Sequence, residues 1–241
     1  MDRYGKQAQE MYDNEAVKMD LPEREEVYVQ AYREVFKYLQ INSDDIVLDV
    51  GCGTGKMALA IGDCTKKYIG IDLSQKALDI AVKKSYKNQE FLKIDMMNTG
   101  FSDGFFTKII ALTSIDQVFD RQSALLECNR ILNHEGLMYL EVRNNDYIVK
   151  KIFKNFIPFF DKVGLTKPMP IDGFKDLGYE GWLSLIHKCG FAIEAHSTSI
   201  RPYYGESIVE KLRHLLIEIC KKTMPKKDQY MLSFSLKKYI K

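Results

Sequence analysis

From Asp45 onward, short apolar runs bounded by polar turns alternate with stretches of helical periodicity, and this alternation is the strongest constraint on the fold. Short runs that are continuously apolar suit strands buried on both faces, as in a parallel sheet with helical crossovers. Ile46–Val50 predicts the first strand, Lys56–Ile61 a helix, Tyr68–Ile71 a second strand, and Gln75–Lys84 a second helix with Ser74 as N-cap. Phe91–Ile94 and Lys108–Leu112 continue the strands. A helix at Arg121–Leu132 carries Ala124, Leu125, Cys128, Ile131 and Leu132 on one stripe; Gly136 is expected to end it before a fifth strand at Leu137–Val142. Residues 143–179 break the rhythm with Phe153, Phe156, Phe159, Phe160, Pro158, Pro168 and Pro170, and read as a partly helical insertion. The pattern resumes with a helix at Trp182–Cys189, a strand at Phe191–Ser199, a helix through Ile208, Leu212, Leu215, Leu216 and Ile219, and a last strand at Tyr230–Leu236.

Ahead of this region, Met1–Met19 is polar, with isolated Tyr4 and Tyr12, and has weak helical character. Asp20 and Glu23 stand as in a capping box, Pro22 suits a first helical turn, and Val27, Ala31, Val35 and Leu39 recur at helical spacing through Gln40. With 241 residues and 46% hydrophobic side chains, one domain is expected. Thirty-five Lys and Arg against 33 Asp and Glu create no global field for nucleic acid or an acidic membrane. The seven lysines of residues 221–241, set against Asp228 alone, read as a solvated tail. Cys52, Cys64, Cys128, Cys189 and Cys220 are odd in number and widely spaced, so neither a disulfide framework nor a metal knuckle is expected. No membrane span and no secretory signal are read, which makes a soluble, cytoplasmic protein the expectation.

Between the first strand and the first helix stands Leu48-Asp49-Val50-Gly51-Cys52-Gly53-Thr54-Gly55. Glycines here permit positive φ and let another molecule approach bare backbone, so a polar or charged ligand is expected. A dinucleotide fingerprint needs Gly three residues after Gly53, where Lys56 stands. A phosphate-binding loop needs Gly at Val50 and Ser or Thr at Met57. What remains is an acidic residue two before Gly-x-Gly-x-Gly, and its carboxylate suits a cationic ligand better than a pyrophosphate.

These residues resemble the class I S-adenosylmethionine-dependent methyltransferases, in the branch that methylates small metabolites and quinone-like molecules. The likeness is good over roughly residues 4–142 and looser beyond. It implies a doubly wound, mostly parallel seven-stranded α/β sheet in the order 3-2-1-4-5-7-6 with the last strand antiparallel, and a helical lid over residues 1–40. By the resemblance, Asp49 and Gly51, Gly53 and Gly55 form the cofactor bend, with Gly51 and Gly53 against its methionine part. Tyr68-Ile69-Gly70-Ile71-Asp72 places Asp72 where the family takes both ribose hydroxyls, as one carboxylate can. Phe91-Leu92-Lys93-Ile94-Asp95-Met96 resembles the third strand, with Asp95 toward the adenine amino group and Met96 over the ring. Cys52, Leu73 and Ala111 fall on the same implied cofactor surface, and Tyr12 is the candidate that closes over it. In the fourth strand the family usually has Asp where Thr107 stands, and Asn133, His134 and Glu135 replace Lys, Pro and Gly in the turn before strand five.

Asp72 also reads as a turn cap before Ser74, and Asp95 as a strand-ending turn residue. The aromatic cluster at 153–160 is read as packing, and His134, His187, His196 and His214 as structural or solvated. Methyl transfer from a sulfonium asks for alignment and dryness more than for a dedicated catalytic group. If the acceptor must lose a proton, Asp116 is the candidate base, and Arg143 and Tyr203 are candidates to orient substrate. The expected function is S-adenosylmethionine-dependent transfer of a methyl group to O, N or C of a small molecule, yielding S-adenosylhomocysteine, with no metal. RNA or protein methylation, or a non-catalytic binding subunit, are the alternatives.

Overall fold

The computed structural model describes residues 38–144, 177–198 and 231–239, and before them residues 9–14, 16, 20, 28, 29, 32, 33, 35 and 36. Seven strands form one sheet: β1 Ile46–Val50, β2 Lys67–Asp72, β3 Gln89–Lys93, β4 Phe106–Leu112, β5 Leu132–Arg143, β6 Phe191–Thr198 and β7 Met231–Lys238. Their order is β3-β2-β1-β4-β5-β7-β6, as the resemblance implied. β7 is antiparallel to β5 and β6, while β3, β2, β1, β4 and β5 run parallel. Four helices of the sheet region are α1 Lys56–Ile61, α2 Gln75–Lys83, α3 Arg121–Ile131 and α4 Tyr179–Lys188.

The central strands are apolar on both faces because both are covered, and successive residues supply opposite cores. Leu48 and Val50 enter one core with Ile69, Ile71, Ile109 and Trp182 of α4. Val47 enters the other with Tyr68, Ile110, Tyr139, Met57 and Ile61 of α1, and Val35 and Leu39 of the N-terminal helical segment. β1 therefore lies at the centre, between β2 and β4, and the loops leaving its carboxyl end and that of β4 diverge around a crevice.

Two local readings change. The helix before β5 ends at Ile131, and Leu132 is already extended; Gly136 lies inside β5 and terminates nothing. A Cβ at Gly136 would sit 2.9 Å from the Thr107 carbonyl and 2.6 Å from Leu132 Cδ1, so close strand approach, beside the irregularity between Phe106 and Lys108, explains this glycine. His134 is accordingly in a strand, with Asn133, His134 and Glu135 exposed at its start. At Thr107 the hydroxyl accepts from the Ile46 N–H (3.0 Å) and donates to Asp45 Oδ1 (2.6 Å), so Asp45 supplies the carboxylate at this junction.

Arg143 closes β5 and Tyr179 opens α4; residues 145–176 of the expected insertion, the helix through Ile208–Ile219, Tyr203, His214 and most of the lysine-rich tail lie outside the described residues. Among the described residues no helix is long and apolar enough to cross a membrane, and no group of three or more His, Cys, Asp or Glu is placed to hold a metal ion.

Candidate functional site

The bend after β1 is shaped by two glycines in the left-handed region, Gly51 and Gly53. Gly51 has φ +73°, and a Cβ there would stand 2.4 Å from Ser114 Cβ, so the bend and the turn after β4 meet backbone to side chain. The N–H groups of Gly51 and Cys52 both donate to the Ile71 carbonyl, which ties the bend to the end of β2. Gly53, at φ +53°, has nothing within 4 Å of where a Cβ would be. Its bare backbone faces open space.

That space is a cavity of about 420 Å³. Its walls come from the bend (Asp49, Gly51, Cys52, Gly53, Thr54), from β2 and its turn (Ile71, Asp72, Leu73), from Ile94 and Met96, and from the turn after β4 (Thr113, Ser114, Gln117, Val118). The N-terminal segment adds Gln9, Tyr12, Ala16, Tyr28 and Tyr32. That segment is fastened across the crevice by Ser74 Oγ donating to Asp13 Oδ1 (2.5 Å) and by the Lys84–Asp20 ion pair (2.5 Å).

Of the residues expected to meet a cofactor, Tyr12, Asp49, Gly51, Cys52, Gly53, Asp72, Leu73 and Met96 stand on this wall. Gly55, Asp95 and Ala111 do not: Gly55 opens α1 against Ala81, Asp95 Oδ1 accepts the Met97 N–H (2.9 Å), and Ala111 is buried in the core. The Asp72 carboxylate spans the crevice mouth, Oδ2 accepting from the Gly53 N–H and Oδ1 from the Ser74 N–H, each at 2.9 Å. Burial pushes its pKa above the ordinary carboxylate value, against the N–H groups of Ser74, Gly53 and Leu73. Beneath the bend, Tyr68 donates its hydroxyl to Asp49 Oδ2 at 2.5 Å. Burial pushes the Tyr68 phenol up, with Asp49 adding to it. The Cys52 thiol is held up by burial and then by Asp49 and Asp72, which keeps it an inert wall atom. Burial likewise raises Tyr12, with Asp116 adding, so its phenol stays a protonated donor.

Asp116 and Arg143 are brought together; neither is among the residues that line the cavity, but both act electrostatically on Tyr12, which is. Arg143 Nε lies 2.7 Å from Asp116 Oδ2, and the side chain of Asp116 is only 2% exposed. Trp182 Nε1 donates to the Arg143 carbonyl at 3.0 Å, and the Arg121 guanidinium donates to the Asp116 carbonyl. The proposed base and the proposed substrate clamp thus form a buried brace behind the post-β4 turn.

Within the turn itself, Asp116 was singled out from sequence, but Thr113, Ser114 and Gln117 were not. Thr113 has φ +48°, a left-handed conformation costly for a β-branched residue, and it is held there by its N–H on the Glu141 carbonyl (2.8 Å) and by Gln117 Nε2 on its own carbonyl. Next to it, Ser114 is 8% exposed, and its Oγ is buried without a hydrogen-bond partner on the cavity wall. An orphaned buried hydroxyl costs about 1–3 kcal/mol, which a polar ligand in this cavity would recover. Tyr28 and Tyr32 were equally hidden, although their four-residue spacing puts both on the cavity face of the helical segment that buries Val35 and Leu39 on the core.

A family model described as a methyltransferase domain matches residues 48–140, the span from β1 into β5. A demethylmenaquinone methyltransferase of Lactobacillus johnsonii is 26% identical over 157 residues, covering 61% of this chain and 64% of that protein. An O-methyltransferase of Aspergillus nomiae is 32% identical over 123 residues, 47% of this chain and 55% of that protein. An uncharacterized protein of Methanocaldococcus jannaschii is 26% identical over 174 residues, 72% of this chain and 74% of that protein. The chain thus spans between 55% and 74% of the length of these curated relatives. Among solved structures, the methyltransferase complexed with the Trm112 methyltransferase activator of Haloferax volcanii superposes with a TM-score of 0.71 at 16% identity, over 97% of this chain and 98% of that one. The geranyl diphosphate C-methyltransferase of Streptomyces coelicolor, solved with S-adenosyl-L-homocysteine, superposes with a TM-score of 0.67 at 14% identity, over 98% of each chain. At these identities the structural likeness speaks for the fold.

Proposed function

We infer what this protein does from one premise: the chain is a class I S-adenosylmethionine-dependent methyltransferase. On that premise, the cavity holds S-adenosylmethionine and the acceptor is an O, N or C atom of a small molecule. The single observation that carries the reading is the juxtaposition of the open face of Gly53 with the Asp72 carboxylate across one cavity.

The residues present fit this cofactor. Gly53 leaves room where a side chain would fill the cradle, and Ser114 Oγ is an orphan at the end where Gly51 abuts it. Asp72 is assigned to the two ribose hydroxyls; its two backbone hydrogen bonds fix the carboxylate plane and leave lone pairs for both. Met96 and Ile94 form an apolar wall for the adenine, and the hydrogen bond from Met97 to Asp95 shapes the turn that presents them. When bound, the cofactor supplies a methyl group on a sulfonium, which needs only an aligned nucleophile in dry surroundings. Tyr12, Tyr28 and Tyr32 roof the cavity and exclude water, and alignment alone is worth about 7–11 kcal/mol in well-oriented systems. The Asp116–Arg143 brace holds the Thr113–Gln117 turn, the face left for the acceptor. A proton-abstracting role for Asp116 would require that ion pair to open.

A small molecule is favoured over nucleic acid because, among the described wall residues, Lys56 is the one cation, which is no track for a phosphate backbone. The free thiols of Cys52, Cys64, Cys128 and Cys189 support a reducing, cytoplasmic setting.

The deciding experiment incubates the protein and methyl-labelled cofactor with metabolite extract and follows masses that gain one methyl unit. Label entering small molecules is the expected result. Label confined to material destroyed by nuclease or protease overturns the small-molecule assignment, and no transfer to any fraction overturns the catalytic one.

A further inference from the structure

We propose that Asp13 is a positioning residue: by fixing Tyr12 over the cavity through Ser74, it sets how fast a bound ligand is released, a role that rests on the cofactor reading above. Residues 9–14 are helical, and Gln9, Tyr12 and Ala16 recur at helical spacing on the cavity wall, so one face of this segment covers the ligand space. Asp13 is off that wall and meets the N-terminus of α2 instead. Its Oδ1 accepts from the Ser74 hydroxyl at 2.5 Å and from the Lys76 N–H at 3.4 Å. The first amides of a helix have no partner within it and favour a carboxylate, so a negatively charged pin holds well there. Burial works against the Asp13 charge, yet the Ser74 hydroxyl and the Lys76 amide keep its pKa below the ordinary carboxylate value.

Ser74 is a rigid anchor for that pin. It is 1% exposed, its N–H donates to Asp72 Oδ1 (2.9 Å), its hydroxyl also accepts the Ala77 N–H (3.2 Å), and its carbonyl accepts the Leu78 N–H (3.1 Å). It cannot follow a lifting Asp13 without releasing Asp72 and uncapping α2. The cover and the carboxylate assigned to the ribose are therefore held by one residue, and a ligand beneath Tyr12 leaves when the Asp13–Ser74 bond opens. A second effect of Asp13 has the opposite sign. Burial pushes the Asp72 pKa up and the Asp13 charge adds to it, so removing that charge alone favours ionised Asp72 and a tighter hold on hydroxyl donors. Faster release on losing Asp13 thus reports the pin and not the field.

The test loads the whole protein with radiolabelled S-adenosylhomocysteine, adds excess unlabelled ligand and follows the loss of label. Release is expected to be about tenfold faster in Asp13→Ala, the effect of losing a charge-assisted hydrogen bond. Asp13→Asn, which keeps an acceptor for the Ser74 hydroxyl, is expected to fall between the two, and it carries the measurement if the alanine variant does not fold. In a Tyr12→Ala background, where there is no phenol left to position, Asp13→Ala is expected to change release less than about twofold. Release unchanged in Asp13→Ala, or accelerated equally in both backgrounds, overturns the positioning role and leaves the cofactor reading intact. Wild-type protein that binds no S-adenosylhomocysteine overturns the cofactor reading, and this role with it.

Discussion

At the scale of one residue, the buried carboxylate of Asp72 costs the free protein stability. Its carboxylate is pushed up by burial even though two N–H groups support it, so the folded pKa lies above the unfolded one. Above the folded pKa the ionised group costs the free protein stability, and that cost disappears as pH falls through it toward the unfolded value. Asp72→Asn removes the charge and keeps one acceptor for the Gly53 or Ser74 N–H. Near neutral pH the removed charge offsets part of the cost of the N–H left facing the Asn amide nitrogen, so the free variant is expected to melt lower than wild type at neutral pH by less than it does at a pH below the unfolded pKa, while its affinity for S-adenosylhomocysteine falls at least about tenfold through the lost charged acceptor. Melting curves and calorimetry on the same preparation check both halves. A variant that binds as well as wild type removes Asp72 from the site.

At the scale of the element, the bend from Asp49 to Gly55 separates two uses of glycine. Gly51→Ala forces a side chain into Ser114 Cβ at 2.4 Å and into a left-handed conformation, so the protein itself should suffer. A loss of about 2 kcal/mol or more, read as a melting-point drop of about 4–8 °C, is expected. Gly53→Ala meets nothing within 4 Å, so it should cost only the smaller backbone penalty of about 1–2 kcal/mol and yet abolish ligand binding by filling the face a ligand needs. Equal damage to stability from both, with binding retained in Gly53→Ala, would contradict this division. The bend was legible in sequence because glycine spacing encodes backbone geometry directly, and Ile46–Val50 and Lys56–Ile61 fall where periodicity put them. Other features were not, for identifiable reasons. The start of β5 was obscured because Asn133, His134 and Glu135 are exposed and polar, which reads as a turn, while the strand pairing that extends them is a long-range fact. The first residues of β3, Gln89 and Glu90, were hidden likewise on an edge strand. Thr113, Ser114 and Gln117 carry no periodicity; only the closure of β4 beside β1 brings them to the cavity. Asp116 and Arg143 were singled out as independent groups, and their pairing across 27 residues depends on β4 and β5 lying side by side.

At the scale of the whole molecule, a doubly wound sheet alone does not choose between a dinucleotide and a sulfonium nucleoside, since both occupy the crevice where neighbouring loops diverge. The choice rests on the contents of the crevice: Lys56 where a dinucleotide bend needs glycine, Asp49 under the bend, and an N-terminal segment pinned across the mouth through Asp13 and Asp20. Those pins link residues at the start of the chain to α2, so a ligand held between them stabilises both the sheet and its cover. A ligand bound only by the native state raises stability by about 2.7 kcal/mol at one hundred times its dissociation constant. For a chain of 241 residues this corresponds to a melting-point rise of about 5–10 °C. S-adenosylhomocysteine is expected to produce that rise and NAD to produce none. The reverse result would leave the topology of the sheet as described and transfer the crevice to a different class of ligand.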